Sequence, residues 1–321
     1  MSRRPTDIET LREGVLAGEK RAVARAISLV ENRDALAYEL VRELYSRTGN
    51  AIVAGLTGPP GVGKSSLIAT LVGHLRQDEK SIGVVTVDPS SPFSQGAVLG
   101  DRIRLVDHFL DPDVFIRSMS TRGYLGGVSE ATLQALLILD AAGKDVLLLE
   151  TVGVGQSEVE VASIADTVVL VLMPGSGDSI QALKAGVMEI PDVIVINKAD
   201  HPATRTMRSE IRSILSLGGE RGWKPPIVET EAISGRGVDE LWAAILAHRA
   251  HLDVGDGLVE RRRRSLEHEV VSVAVSQVRR RLEDAIHNDP EVRALLDQVH
   301  ERKLDPLTAT REIADRVFGD R

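Results

Sequence analysis

Glycines, a lysine and two serines lie together early in the chain, where Gly58-Pro-Pro-Gly-Val-Gly63-Lys64-Ser65-Ser66 follows a short aliphatic run. Residues 58–65 fit the phosphate-loop pattern, which requires a strand before it and a helix after it. Glycines let backbone N–H groups surround a phosphate at a helix N-terminus, where negative charge is favoured. We therefore expect Lys64 to reach the β- and γ-phosphates of a nucleotide and the Ser65 hydroxyl to bind Mg²⁺.

A second motif, Asn197-Lys-Ala-Asp200, directly follows the aliphatic run 193–196. N-K-x-D at the end of a strand is the motif that specifies guanine in GTPases. The Asp200 carboxylate would accept hydrogen bonds from guanine N1–H and the 2-amino group, a pair of donors that adenine does not offer. Because a missing partner at a polar site discriminates strongly, the motif predicts GTP rather than ATP.

A third motif, Glu150-Thr-Val-Gly153, stands at the end of another aliphatic run. An acidic residue at this place usually contacts Mg²⁺ through water, and the glycine N–H senses the γ-phosphate. Glu150 and Gly153 are therefore predicted to lie at the metal and phosphate end of the same site.

The elements that must position these motifs are seven aliphatic runs between residues 50 and 250, at 51–57, 82–87, 114–117, 145–149, 167–172, 193–196 and 227–230. Apolar strands separated by helical stretches are typical of a parallel sheet covered on both faces. The predicted fold class is α/β, a P-loop NTPase with a mostly parallel sheet flanked by helices. Apolar spacing predicts two helices within 7–48 and further helices after residue 250, where Val271, Val275, Val278 and Leu282 form one stripe.

Composition bounds the function further. The chain has 321 residues, 43% hydrophobic and only 3% aromatic, so it can bury a sizeable aliphatic core. A formal net charge of −8 argues against nucleic-acid or anionic-membrane binding. Zero cysteine excludes disulfides, a thiol nucleophile and cysteine metal sites. No apolar run could span a bilayer and the N-terminus has no apolar signal core, so we expect a soluble, cytoplasmic protein.

Two groups of basic residues are predicted to have a structural role and not to bind a metal or RNA. His248 and His251 have no third metal ligand nearby, so they are predicted to be solvated helix residues. Arg261 to Arg264 lack interleaved aromatic residues, which favours a solvated helix face or ion pairs in a dimer over RNA binding.

Longer stretches resemble one family. Residues 150–158, Glu-Thr-Val-Gly-Val-Gly-Gln-Ser-Glu, are similar to the MeaB/ArgK family, as are 87–91, 100–102, 121–123 and 174–178. The resemblance implies a GTPase that acts as a chaperone of an adenosylcobalamin-dependent acyl-CoA mutase, and the methylmalonic aciduria type A protein is among the family's members. It also implies an N-terminal helical extension at 1–49, a P-loop GTPase domain at 50–250 and a C-terminal helical dimerisation arm at 251–321.

Site roles also follow from the resemblance. It implies that Asp88, Asp101 and Glu150 surround Mg²⁺ and the γ-phosphate, with Ser65 as a further metal ligand and Lys64 as a catalytic residue. From the residues alone, Asp88 ends a strand beside the phosphate-loop strand and can face a metal, whereas Asp101 is equally well interpreted as a surface charge. The predicted nucleotide-binding residues are Gly58, Pro59, Pro60, Gly61, Val62, Gly63, Lys64, Ser65, Ser66, Gly153, Asn197, Lys198, Asp200 and Ala232.

Segment 173–189 matches an additional switch of the family and carries Asp178, Gln181 and Lys184.

Two positions depart from the family pattern. Glu231 stands where a serine usually precedes Ala232, whose N–H can still donate to the guanine oxygen. Tyr124 stands where members often carry histidine, which bears on a partner contact.

The predicted activity is hydrolysis of GTP to GDP and phosphate by in-line attack of water, with Mg²⁺ as cofactor and a mutase and a second copy as partners. A metal-insertion GTPase for hydrogenase or urease would normally hold nickel with Cys and clustered His, and this chain has no Cys. Asn197 and Asp200 disfavour an ATP-using kinase of an amino-acid transport system, and the intact phosphate loop disfavours a non-hydrolysing scaffold. Methylmalonyl-, isobutyryl- and ethylmalonyl-CoA mutase all stay open as the partner.

Overall fold

A computed structural model describes residues 7–88, 105, 108–120, 130–151, 161, 163–177, 179, 191–217 and 222–319, with the backbone alone at 88, 120, 130, 217, 268, 269, 272 and 276. The chain divides into two compact units, one up to Ser265 and one from Leu266 onward. The division falls inside one long helix, Gly257–Asn288.

Seven strands in the described part of the first unit form one sheet, in the order β3-β2-β4-β1-β5-β6-β7. Their bounds are β1 Ile52–Thr57, β2 Ile82–Asp88, β3 Val114–Ser120, β4 Val146–Thr151, β5 Thr167–Leu172, β6 Val193–Asn197 and β7 Ile227–Thr230. All of these neighbouring strands pair in parallel. The seven aliphatic runs thus coincide with the strands, and the predicted α/β fold is confirmed.

Strand β1 lies in the middle of the sheet, between β4 and β5. Strands β2, β3 and β4 lie on one side of β1, and β5, β6 and β7 lie on the other. The connections therefore diverge at the carboxyl end of β1, and open α/β sheets bind ligands in the crevice that such a divergence creates. Residues 58–63 follow β1 at this point.

One face of the sheet is covered by α1 Ile8–Leu16, α2 Lys20–Glu31 and α3 Ala35–Leu44, together with α5 Glu130–Ala141. Three N-terminal helices and a short 3-10 helix at Tyr45–Arg47 replace the two helices predicted before residue 49, so that prediction was wrong. Gly18 ends α1 with a φ of 72°, and its N–H donates to Val15 O at 2.9 Å. The apolar spacing continues across this turn, which is why it suggested one uninterrupted helix.

The other face is covered by α4 Lys64–Gln77 and α7 Val238–Asp253, whose aliphatic side chains pack against β1, β2 and β4. Side chains alternate along each strand, and Leu56 of β1 and Leu148 of β4 belong to this side. On the opposite face, beside the N-terminal helices and α5, α6 Thr204–Leu217 packs Met207 and Ile211 against β5 and β6. Helix α4 thus starts at the phosphate-loop motif and runs beneath the sheet.

The second unit contains the later part of α8 Gly257–Asn288 and the helices α9 Pro290–His300 and α10 Pro306–Phe318. Val292, Ala309 and Ile313 are buried in it. Arg316 Nε donates to Asp289 Oδ2 at 2.6 Å and so joins the start of α9 to α10. Of the helices that the structure describes, none combines the length and the apolar composition needed to cross a bilayer.

Arg261 and Arg262, near the start of α8, form ion pairs within the first unit. Arg261 Nη2 donates to Asp192 Oδ2 at 2.7 Å. Arg262 donates to both carboxylate oxygens of Asp166, at 2.8 and 2.7 Å. Asp166 directly precedes β5 and Asp192 directly precedes β6, so both arginines bind the amino edge of the sheet. The prediction of a solvated face or dimer ion pairs is therefore wrong for these two residues.

His248 is also bound at this edge. Its side chain is only 2% exposed, its Nδ1 is 2.9 Å from the Thr167 hydroxyl, and its Nε2 lies 3.3 Å from Asp192 Oδ1. Burial lowers the pKa of His248 to about 4 and outweighs the attraction of Asp192, whose carboxylate is already paired with Arg261. The prediction of a solvated residue is wrong for His248, whereas His251 is exposed as predicted.

Candidate functional site

The loop from 58 to 63 joins β1 to α4 at the carboxyl edge of the sheet. Three glycines in it have positive φ, 140° at Gly58, 77° at Gly61 and 95° at Gly63. A Cβ at Gly58 would lie 2.1 Å from Val171 O, and one at Gly63 would lie 2.5 Å from Asn197 Nδ2. Side chains are therefore excluded from these two places by backbone conformation and by close neighbours.

Lys64 is the first residue of α4, and its ammonium group is held inside the loop. Its Nζ donates to Gly58 O at 2.7 Å and to Pro59 O at 3.0 Å, while the residue is only 5% exposed. A buried cation needs partners of negative or partly negative charge, and phosphate oxygens are stronger partners than carbonyl oxygens. The arrangement suits a lysine that exchanges carbonyl partners for a phosphate.

Ser65 and Glu150 connect α4 with the end of β4. Ser65 Oγ donates to Glu150 Oε1 at 2.7 Å, and both residues are 5% exposed. A hydroxyl and a carboxylate are ligand types that Mg²⁺ accepts, and this ion usually keeps several waters and binds only one or two protein groups. The donor set therefore fits a magnesium ion, even though the described residues contain no cluster of three or more metal-binding side chains.

Asn197, the last residue of β6, connects three parts of the site. Its Nδ2 donates to Val62 O in the loop at 2.8 Å. Its Oδ1 accepts from the Thr230 hydroxyl at 3.1 Å and from the Ala232 N–H at 3.2 Å. The side chain is 1% exposed, so all three bonds are shielded from water. The phosphate-loop motif and the N-K-x-D motif, which are far apart in sequence, thus meet at one side chain.

The two other predicted residues of the N-K-x-D motif lie at the same edge of the sheet. Lys198 has a φ of 56°, and its Nζ donates to Gly61 O at 2.9 Å. Asp200 is exposed in the turn that follows β6. A backbone bond from Ala199 N–H to Thr230 O, 3.1 Å long, holds this turn beside the end of β7.

Glu231 closes the loop that contains Ala232. Its backbone N–H donates to Arg236 O at 2.9 Å, and its carboxylate forms an ion pair with the Arg236 guanidinium. The Ser234 hydroxyl donates to Glu231 Oε2 at 3.0 Å. Ala232 O accepts from the Thr70 hydroxyl of α4 at 2.6 Å. The glutamate that departs from the family pattern thus organises the loop instead of facing away from it.

Thr70 and Thr230 are residues of this site that the sequence reasoning missed. Thr70 also donates to Ser66 O at 3.0 Å, so its hydroxyl lies between its own helix and the Ala232 loop. Nothing in the spacing of the motifs singles out either threonine. The position of Thr230 directly before Glu231 was the one available signal.

The structure describes the remaining predicted site residues only in part. The backbone of Asp88 ends β2, while its side chain is not described. Asp101 and Gly153 lie outside the described residues, as do Tyr124, Asp178, Gln181 and Lys184. The structure therefore brings together the residues at 58–66, 150, 197–200 and 232, and the roles of the others stay predictions.

The strand order, the parallel pairing and the glycine loop between β1 and α4 define the class of P-loop NTPases. Residues 23–290 match the family model described as methylmalonyl-CoA mutase-associated GTPase MeaB. The chain therefore belongs to the MeaB family of GTPases, and the resemblance seen in the sequence is confirmed.

Relatives of known name agree with this assignment. A Pyrococcus horikoshii protein named as a GTPase is 45% identical over 316 residues, covering 97% of this chain and 99% of its own length. The mouse methylmalonic aciduria type A homolog is 37% identical over 255 residues, covering 73% of this chain and 61% of its own. A crystal structure described as a LAO/AO transport system kinase has a TM-score of 0.70 and 27% identity, and covers 99% of both chains.

Proposed function

We propose that this chain binds GTP and Mg²⁺ at residues 58–66, 150 and 197–200, and hydrolyses GTP to GDP and phosphate. The observation that carries the proposal is the Asn197 side chain, which hydrogen-bonds to the phosphate loop and to the loop at Ala232. It brings a phosphate-binding motif and a guanine-type motif into one site. Neither motif alone would support this proposal as strongly.

Hydrolysis at this site would depend mainly on positioning and electrostatics. Lys64 would replace its bonds to Gly58 O and Pro59 O with bonds to the β- and γ-phosphates, and loop N–H groups would add to them. Mg²⁺, when bound, would neutralise phosphate charge, and Ser65 and Glu150 are the described residues that would hold it. Asp88, Asp101 and Gly153 complete the predicted set through the family resemblance.

Guanine recognition would use the carboxyl ends of β6 and β7. The exposed Asp200 carboxylate is available to accept from N1–H and the 2-amino group. The Ala232 N–H, which donates to Asn197 Oδ1 at 3.2 Å, would exchange that bond for one to the guanine oxygen. The Glu231–Arg236 pair supports the loop that presents this N–H. Adenine offers the opposite pattern of donors and acceptors, so ATP should bind poorly.

Nucleotide titration tests this proposal. The wild-type protein should bind GTP at least about 100-fold more tightly than ATP, which corresponds to about 2.7 kcal/mol. Lys64→Ala should lose most GTP affinity and turnover, because a buried charge partner of the phosphates is removed. Lys80→Ala, an exposed lysine at the opposite edge of the sheet, is the matched control and should behave as wild type. Equal binding of ATP and GTP would instead favour the alternative, a nucleotide-dependent kinase or ATPase.

We further propose that the GTPase serves as a chaperone that gates cofactor loading and protection of an adenosylcobalamin-dependent acyl-CoA mutase. The family name and the mouse relative support a mutase of the methylmalonyl-CoA type. In P-loop proteins the γ-phosphate and Mg²⁺ hold loops that relax after hydrolysis. Segment 173–189, which begins directly after β5 in the chain, is the candidate for reporting this change to the mutase.

Phosphate release with and without purified mutase tests the partner role. Slow intrinsic hydrolysis should accelerate when the cognate mutase is added. Lys184→Ala should lose most of the acceleration while its GTP affinity stays within roughly tenfold, about 1.4 kcal/mol, of wild type. Lys80→Ala should keep full acceleration. Full stimulation of the Lys184→Ala protein would exclude this segment as the route, and no stimulation by methylmalonyl-, isobutyryl- or ethylmalonyl-CoA mutase would exclude the chaperone role.

The proposed biological unit is a cytoplasmic homodimer. Val271, Val275 and Val278 on α8 are each at least 45% exposed, and an apolar helix stripe of this kind needs a covering partner. A dimer formed through 258–300 would cover it. This proposal keeps the predicted division into a helical extension at 1–49, a GTPase domain at 50–250 and a dimerisation arm at 251–321.

A further inference from the structure

Among the described residues, three threonine hydroxyls are buried without a hydrogen-bond partner, those of Thr57, Thr86 and Thr151. All three lie in the last three residues of central strands, close to the carboxyl edge where the phosphate loop begins. A buried hydroxyl without a partner costs free energy, and one near a ligand site is often explained by a water or an ion that belongs there.

The face on which each hydroxyl lies separates Thr86 from the other two. In β2, Val84 belongs to the α4 side of the sheet and Val85 to the opposite side, so alternation places Thr86 on the α4 side. By the same alternation Thr57 and Thr151 lie on the opposite side. Only Thr86, of these three, shares a face with the start of α4.

Thr86 is also the direct neighbour of Glu150. The two residues are paired in register between β2 and β4, so their Cα atoms are about 5 Å apart and their side chains stand side by side. Glu150 in turn accepts the hydrogen bond from Ser65. The unpartnered hydroxyl therefore lies next to Glu150, which together with Ser65 fits a magnesium ion.

We propose that the Thr86 hydroxyl binds a water molecule of the Mg²⁺ hydration shell and thereby positions the ion against Glu150. Mg²⁺ keeps most of its waters in protein sites, so groups that hold those waters contribute to its affinity. The water would give the buried hydroxyl the partner that it lacks among the described residues. This inference rests on the proposed function and assigns a positioning residue to the same site.

The test is the Mg²⁺ dependence of nucleotide binding, which does not require hydrolysis. A fluorescent GDP analogue is bound to metal-free protein in EDTA, and free Mg²⁺ is then increased stepwise. Thr86→Val has nearly the same volume but no hydroxyl. It should raise roughly tenfold the Mg²⁺ concentration at which the change in nucleotide binding is half-maximal. Tenfold is the lower end of the loss in metal affinity when a group that supports the metal's ligands is removed. Its affinity for GDP without Mg²⁺ should stay within about twofold of wild type.

Two further variants complete the test. Thr86→Ser keeps the hydroxyl and should restore the wild-type Mg²⁺ response. Thr57→Val removes an equally buried hydroxyl on the opposite face and should leave that response unchanged. A Thr86→Val protein with the wild-type Mg²⁺ response would overturn the inference alone. Failure of the wild-type protein to bind GDP at all would overturn the proposed function and this inference together.

Discussion

Replacement of Asn197 by alanine should disable the nucleotide site without changing any residue expected to touch the γ-phosphate. The substitution removes three buried hydrogen bonds, to Val62 O, from the Thr230 hydroxyl and from the Ala232 N–H. It leaves one carbonyl, one hydroxyl and one N–H buried without their former partner. The phosphate loop and the Ala232 loop then lose their shared support.

The magnitude follows from these three bonds. Each buried group left without a partner costs about 1–3 kcal/mol, and water entering the space left by the amide would reduce that cost. Taking the low end for all three gives about 3 kcal/mol. Because the bonds connect the two loops that would hold nucleotide, most of this loss should appear as weaker binding, about 100-fold for GDP and GTP alike.

Calorimetric titration of GDP and of a non-hydrolysable GTP analogue measures both affinities directly. Asn50→Ala is the control, because it removes one exposed amide bond to Arg47 O far from the site and should leave both affinities unchanged. Equal weakening of the two nucleotides is the expected signature, since Asn197 supports the loops and not the γ-phosphate. Affinities within threefold of wild type, a difference of about 0.7 kcal/mol, would refute the reasoning.

Three further predictions concern the remainder of the chain. Because burial lowers the pKa of His248 to about 4, the stability that its neutral form contributes is complete above pH 6.5 and is lost as pH falls toward 4. Urea unfolding across this range should show the free energy of unfolding fall by about 3 kcal/mol, a loss that His248→Gln does not show. Arg262→Ala should destabilise the protein by about 2 kcal/mol in urea unfolding, because it breaks the part-buried pair with Asp166. Arg263→Ala, at an exposed position, should change the free energy of unfolding by less than about 0.5 kcal/mol. Val275→Asp should convert a dimer to a monomer in light scattering at micromolar concentration, and a monomeric wild-type protein would contradict the proposed arm.

The strands of the sheet could be predicted because each is a continuous aliphatic run, which is what burial on both faces of a parallel sheet demands. The glycine loop could be predicted for a similar local reason, since its pattern is contiguous in sequence. The number of N-terminal helices could not, because apolar spacing alone did not register the turn at Gly18.

Contacts between distant residues were beyond the sequence reasoning. The Asn197 bonds join residues 62, 197, 230 and 232, and only the folded sheet brings them together. Arg261 and His248 looked like surface residues because a helix pattern does not show which carboxylate will face it. In the fold both meet Asp192, the residue before β6.

The identity of the bound base tests the central claim most directly. Asp200→Asn replaces the carboxylate acceptor by an amide, which can donate to the 2-oxygen of xanthine. Competitive binding of GTP, XTP and ATP to wild type and variant should show a loss of about 100-fold for GTP, or 2.7 kcal/mol, and a comparable gain for XTP. ATP should stay weak in both proteins. A variant that keeps wild-type preference for GTP over XTP would show that Asp200 does not read the base, and guanine recognition at the end of β6 would be wrong.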